Sequence, residues 1–386
     1  MLNRIFKKIE ENFNRMVEIR RYLHENPEES FKEYNTANYI AEFYANKGVD
    51  IKTNVGGNGI IVTIDTGKSG KIIGLRADFD ALPIKEQTGL TFASKNEGVM
   101  HACGHDVHTA YLLVLADILI SMKDELKGKI VLIHQHAEEK SPGGAKGIIE
   151  TGILDNVDNF FGIHIMTSME SGSVYYHKGD TQQGRSNFTV KFKGKGGHAS
   201  MPELSNDAIV AASHFVVALQ TIVSRRLSPF ENGGVTVGSF DGKGISNIIK
   251  ESVELEGDIR AMSNETMDKI ISEIDTISKG IAKTFNMEVE NSFTVDYPVL
   301  YNDPEVTELV VKAVSNAGLK ISDCGAQAPS EDFARYAQLK PSCFFYVGAK
   351  EKGKEYPHHN SKFYVNETSL EIAAKAMVAV VLEYLK

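Results

Sequence analysis

At 386 residues the chain is longer than one ordinary hydrophobic core accommodates, so two or three domains are expected. Its 42% hydrophobic and 24% charged residues are those of a globular protein, and a formal net charge of −9 without any basic block argues against a nucleic-acid surface. Three cysteines (Cys103, Cys324, Cys343) are too few and too odd in number for a disulfide framework. Arg4, Lys7 and Lys8 are followed by Glu10 and Glu11 rather than by an apolar signal core. Apolar runs such as residues 111–120 are shorter than the roughly 18 residues a membrane span needs. A cytoplasmic protein is expected.

Taken in chain order, Ile5, Ile9, Phe13, Met16, Ile19 and Leu23 recur at helical spacing and predict a helix over 5–24. A second helix is expected over 36–47, ended by Gly48. Strand signals follow at 59–65, 71–75, 129–133 and 160–165, with a helix over 109–123 between the second and third. Strands alternating with helices predict an α/β catalytic domain with a mixed, largely parallel sheet between helices. The middle of the chain reads as strand 187–193, helix 206–226, strands 235–240 and 253–262, helix 265–285 and strand 287–297. That β-α-β-β-α-β order is the signature of a ferredoxin-like α+β unit. After Pro298 the α/β pattern returns, with a helix over 304–317, a strand over 343–347 and a helix from 369. The expected organisation is a discontinuous metal-binding catalytic domain, 1–183 and 298–386, interrupted by a lid or dimerisation domain at 184–297.

The chemistry concentrates in Met100-His101-Ala102-Cys103-Gly104-His105-Asp106-Val107-His108, which packs three histidines, a cysteine and an aspartate into nine residues. Thiolate, imidazole and carboxylate together suit zinc or a neighbouring first-row divalent ion. Further candidates fall just beyond strand ends: His134, His136, Glu138 and Glu139 after 129–133, His164 at the end of 160–165, and His358 and His359 after 343–347. In open α/β sheets, sites form at the carboxyl ends of strands. Each group alone reads more simply as a packed or solvated residue; the shared placement is the signal. A serine-hydrolase route lacks its Gly-x-Ser-x-Gly elbow, and Val55-Gly56-Gly57-Asn58-Gly59 lacks the Lys-Ser/Thr of a phosphate loop and reads as a turn.

The segment 101–108, with Arg76-Ala-Asp-Phe-Asp-Ala-Leu-Pro83, Glu138-Glu139, Gly196-Gly-His-Ala-Ser200 and Ser330-Glu-Asp-Phe333, resembles the metal-dependent aminoacylase/carboxypeptidase amidohydrolases of peptidase family M20, in their hippurate hydrolase and indole-acetyl-amino-acid hydrolase subgroup. The resemblance spans nearly the whole chain. It implies two divalent metal ions per subunit, Zn2+ or Mn2+ with Ni2+ and Co2+ also admissible. Cys103, able to bridge, would ligate them with His105, Glu139, His164 and His359. His359 is preferred to His358 because His359-Asn-Ser-Lys-Phe363 resembles the final ligand motif, although Ser361 replaces a common proline. Asp78, Asp80, Asp106 and His108 would orient ligands, and His101 would either support a ligand or be structural. Glu138 would be the general base, and His198 would stabilise the oxyanion, often from the partner subunit. Asn247 and Arg260 would hold the substrate carboxylate, Arg260 through a two-pronged pair.

The implied function is hydrolysis of the amide bond in N-acyl amino acids or related small amides and peptides by a metal-activated water, in a homodimer formed through the inserted domain. The alternatives are a dipeptidase, an N-acetyl-diaminopimelate deacetylase, or, in another class, a non-catalytic metal-containing binding protein. The last is disfavoured because base, ligands and the inserted histidine are all present. A structural zinc domain conflicts with the mixed Cys/His/Glu set.

Overall fold

A computed structural model describes residues 1–386 and divides them into two compact units. The first comprises Met1–Thr181, Tyr301–Ala326 and Asp332–Lys386; the second comprises Gln182–Leu300 and Gln327–Glu331. The second unit thus starts two residues before and ends three after the 184–297 expected from sequence, and it takes in a short loop that sequence reading left in the catalytic domain.

The first unit carries helices α1 (Leu2–Glu11), α2 (Phe13–Glu25) and α3 (Tyr34–Tyr44), then strands β1 (Asp50–Val55), β2 (Gly59–Asp65) and β3 (Ile72–Asp78). Helix α4 (His105–Ile120), β4 (Lys129–Gln135), α5 (Gly144–Glu150), β5 (Asn159–Met166), β6 (Ser173–Tyr176) and β7 (Gly179–Gln182) follow. The single helix expected over 5–24 is two, parted at Asn12, whose ψ of 10° departs from helical geometry. Strands β1 and β6 were not foreseen: β1 is a mostly exposed edge strand with Lys, Thr and Asn, so it lacks the apolar run that marks a strand.

In the second unit lie β8 (Gly184–Lys193), β9 (Gly197–His198), α6 (Ala208–Leu219), β10 (Gly233–Asp241), β11 (Ile248–Ile249), β12 (Ser252–Ala261), α7 (Asn264–Thr284) and β13 (Glu288–Tyr297). The chain then forms β14 (Leu300–Asn302), α8 (Pro304–Asn316), β15 (Lys320–Asp323), α9 (Ala334–Leu339), β16 (Ser342–Gly348) and α10 (Thr368–Tyr384).

The main sheet has eight strands in the order β1-β2-β4-β3-β5-β16-β6-β15. Its central run, β4-β3-β5-β16, is parallel, and antiparallel strands flank it on both sides. This is the expected mixed α/β sheet. Helix α4 is buried along almost its whole length and lies in one core with β3, β5 and α10. Such a helix is apolar all round because protein surrounds it.

The second unit's sheet is wholly antiparallel, in the order β10-β12-β8-β13. Phe188, Val190 and Phe192 alternate inward along β8 beneath α6 and α7. Residues 208–226, within the helix expected over 206–226, are apolar and long enough, by composition, to cross a membrane. Ala208, Ala211, Ala212, Phe215, Leu219 and Ile222 point into the core at helical spacing, which makes it one of the covering helices of this sheet.

Candidate metal centre

The candidate residues meet at the carboxyl ends of the central parallel strands, where the backbone leaves the ladder and side chains can converge. Strand β3 delivers Asp78 and, just beyond it, Asp80; β4 leads into Ala137-Glu138-Glu139; β5 carries His164; the segment after β16 brings His358 and His359. Gly104, at φ 103°, caps α4 in a conformation that side-chain-bearing residues rarely adopt, and it turns the chain so that His105 opens the helix. Cys103 therefore sits at a helix N-terminus, whose partial positive charge favours a thiolate.

Hydrogen bonds sort the histidines. A neutral imidazole has one N–H and one lone pair. His105 directs Nδ1 at the Asp80 carbonyl (3.0 Å) and carboxylate (3.2 Å), so Nδ1 carries the proton and Nε2 keeps its lone pair. His164 directs Nδ1 at the Ile165 carbonyl at 2.9 Å and faces Cys103 Sγ with Nε2 at 3.5 Å. Both are ready to ligate. His108 is not: its Nε2 accepts the Ile165 N–H at 2.9 Å, and its Nδ1 donates to Asp78 at 2.6 Å.

Ligand atoms of Cys103, His105 and Glu139 lie within 4.8 Å of one another, and so do those of Cys103, His164 and His358. His359 Nε2 is 3.2 Å from Glu139 Oε1. Ligands at tetrahedral zinc stand roughly 3.3–3.6 Å apart, given bond lengths of about 2.0–2.3 Å. His105 Nε2 is buried and makes no hydrogen bond, a cost that a cation would remove, and buried Glu139 Oε1 has only the His359 ring beside it. Burial lowers the His105 imidazole, yet Asp78 and Asp80 outweigh it and push it up to about 10. Burial and the Glu139 and Glu138 charges hold the Cys103 thiol well above its usual range. Both shifts describe a dense negative pocket, and a divalent ion would reverse them by ionising the thiol and occupying the imidazole. The donor set fits the metal ions that the sequence resemblance implies.

Asp80 is placed to orient His105 through Nδ1, whereas Asp78 bonds His108 and lies 3.6 Å from His105 Nε2. Asp80 Oδ2 also accepts from Glu139 N (2.9 Å) and Ser30 Oγ (2.7 Å). Asp78 is gripped by the buried Arg76 at 2.6 Å, and Arg76 in turn reaches Asp332 and Gln135. Asp106 must be corrected: it orients no candidate ligand. It accepts from Arg20 Nε (2.8 Å) and pairs with His24 Nδ1 (2.9 Å), tying α4 to α2. His101 is buried with neither ring nitrogen bonded, and burial pushes it down to about 4.

Sequence reading missed Glu33. It accepts from the Ala137 N–H at 2.8 Å and so holds Ala137 at φ 52°, the strained residue directly before Glu138. Burial and the Asp80 charge push Glu33 up to about 7.

Glu138 is buried, with Oε2 4.0 Å from His105 Nε2. In the second unit His198 is exposed on the two-residue ribbon β9–β11, where Ser200 donates its N–H (3.2 Å) to Nδ1 and its Oγ lies 2.7 Å away. Asn247 is exposed nearby, its carbonyl accepting from Ala199 N. Arg260 uses Nε on Asp258 (2.7 Å) and Nη1 on Ser330 (2.7 Å).

Residues 74–383 match the model of peptidase family M20/M25/M40. The chain belongs to that family. The M20 assignment makes it a metal-dependent hydrolase acting on C–N bonds. A solved chain from methicillin resistant Staphylococcus aureus, provisionally described as an aminohydrolase, is 55% identical with a TM-score of 0.99 and full coverage of both chains. The N-acetyl-L-cysteine deacetylase of Bacillus subtilis (strain 168) is 37% identical over 92% of this chain and 84% of its own length. The Bacillus subtilis YXEP protein, described as a dinuclear metal binding peptidase of the M20 family, is 29% identical with a TM-score of 0.86, covering 97% of this chain and 99% of its own.

Proposed function

We propose that this M20 enzyme hydrolyses the amide bond of N-acyl amino acids or related small amides and peptides, with two divalent ions held by Cys103, His105, Glu139, His164 and His359. The observation that carries this reading is the buried, unbonded His105 Nε2 clustered with Cys103 and Glu139, with Glu138 beside it. The likeness to a dinuclear peptidase and to an N-acetyl amino acid deacetylase supports it. Zn2+ or Mn2+ in these positions would acidify a water and polarise the amide carbonyl.

The chain's own groups do the rest. Glu138 takes a proton from the attacking water as its oxygen bonds to the carbonyl carbon. It delivers that proton to the amide nitrogen as the C–N bond breaks. His198, with Ser200 N–H donating to Nδ1, keeps its proton on Nε2 and can donate it to a developing oxyanion. Arg260 presents its Nη1–Nη2 end to a substrate carboxylate, with Asp258 and Ser330 fixing the plane, and Asn247 adds a polar contact. Two copies pairing through the second unit would bring the exposed His198 of one to the other's metals.

The test is a hydrolysis screen of metal-reconstituted protein with N-acetyl, N-benzoyl and indole-acetyl amino acids, dipeptides and N-acetyl-diaminopimelate. Turnover of N-acyl amino acids that chelator abolishes is expected. Turnover confined to dipeptides would replace this reading with a peptidase, and none with any amide would sink it.

A further inference from the structure

His358 and His359 are neighbours in sequence, and distance alone admits both as ligands: His358 Nδ1 is 3.6 Å from Cys103 Sγ, in one set with His164. The hydrogen bonds separate them. The Thr167 backbone N–H, which can only donate, points to His358 Nε2 at 3.3 Å. That bond occupies the one lone pair of a neutral imidazole, so Nδ1 carries the proton and has no lone pair to offer an ion. His108 shows the same pattern, accepting from Ile165 N–H and donating from Nδ1. The two rings thus take backbone amides of the first and third residues after His164, at the end of β5.

We infer that His358 does not ligate metal but donates its Nδ1–H to the Cys103 thiolate, as a positioning residue that acts through the sulfur. The inference rests on the proposed metal centre. An N–H to sulfur separation of 3.6 Å suits this bond. A hydrogen bond to a thiolate withdraws electron density from the sulfur, which leaves ions bound to it more electron-poor and fixes the direction of its lone pairs. The backbone reinforces the division of labour. His359 sits at φ 63°, a conformation that a side-chain-bearing residue adopts at a cost, and its N–H is tied to the Ala102 carbonyl at 2.8 Å. That twist sends consecutive side chains to different partners, His358 to Cys103 and His359 to Glu139.

The experiment loads the full chain with Co2+, counts metal at saturation and records the thiolate-to-cobalt charge-transfer band. His358→Ala should keep both metal equivalents at saturation, bind them about tenfold to a hundredfold more weakly, and move the band to longer wavelength as the sulfur becomes more electron-rich. His358→Gln, whose amide can still donate, should return the band toward its original position; circular dichroism on both variants checks folding. His359→Ala should lose one equivalent. Loss of one equivalent in both folded His358 variants would make His358 a ligand and overturn the inference. An unmoved band in His358→Ala would remove the contact to sulfur. If the unsubstituted chain shows no thiolate band, Cys103 is no ligand, and it is the metal-centre reading itself that fails.

Discussion

His105 and His198 stand in opposite surroundings. His105 has no exposed surface, and its Nδ1 is held by two oxygens of Asp80. His198 lies exposed on a ribbon of two-residue strands, its ring held only by Ser200, two residues on. The first ring is aimed by the fold: β3, α4 and the chain after β4 must all be in place before Nε2 points where it does. The second is free to be aimed by whatever docks on it, a substrate or a second copy. With the proposed roles, His105 gains from the rigidity of a packed core in holding an ion, and the exposed His198 is suited to closing on the site with the substrate.

The largest effect separates holding a metal from moving a proton. Glu138→Gln should lower kcat by about 10²- to 10⁴-fold while metal content, measured by elemental analysis, stays at the level of the unsubstituted protein. Retained turnover would remove Glu138 as the base, and lost metal would make it a ligand.

Next in size is His198→Ala, expected to cost about 10²- to 10³-fold in kcat, the scale of one oxyanion donor, again with full metal content. Mixing it with Glu138→Gln sharpens the comparison. If His198 serves the neighbouring copy, a mixed dimer holds one site with both groups intact, and activity should return after subunit exchange. A mixture that exchanges and stays inactive would place His198 within its own chain's reaction or outside the reaction altogether.

The sequence made the site legible wherever chemistry follows strand ends. The Glu138-Glu139 pair and His164 fall just where β4 and β5 stop, strands that apolar periodicity located, and the stretch 100–108, leading into α4, stands out by its composition. What it could not show depends on backbone twist and on which way a side chain faces. Nothing in the composition of Pro357-His358-His359-Asn360 announces the positive φ that divides the two histidines. Glu33 lies about a hundred residues from the peptide it braces, and only the closed fold makes that contact. Asp106 is the instructive case: His105 and His108 are three apart on α4 and share a face, whereas Asp106 lies a third of a turn away. Helical spacing alone would have removed it from the metal side.

A third expected effect tests the wall around His105. Asp80→Asn keeps the size of the side chain and removes the charge that orients the imidazole and accepts from Glu139 N. Metal affinity should fall about 10- to 100-fold, measured by competition with a coloured chelator. An unchanged affinity would mean that the backbone carbonyl of Asp80 alone sets the ring.

The smallest effect on the metals is expected from Asp106→Asn, three positions past Cys103 in sequence yet facing α2. Its carboxylate is buried against Arg20 and His24, and their hydrogen bonds and charge outweigh the burial that would raise it, holding it far below the usual range. Because the folded state lowers this pKa, its stabilising contribution is present above the unfolded value of about 3.9 and is lost as pH falls below that. The substitution leaves Arg20 with Glu367 as its one carboxylate partner, beside the Phe92 ring, and breaking a buried pair typically costs about 3–5 kcal/mol. Thermal unfolding of the metal-free protein at neutral pH should therefore occur at a clearly lower temperature, with the gap to the unsubstituted chain narrowing in acid. Metal affinity should stay within about threefold of the original, since sites without shared partners behave additively. A loss of affinity comparable to that of Asp80→Asn would return Asp106 to the metal's supporting groups and show that α2 and the metal pocket are coupled through the start of α4.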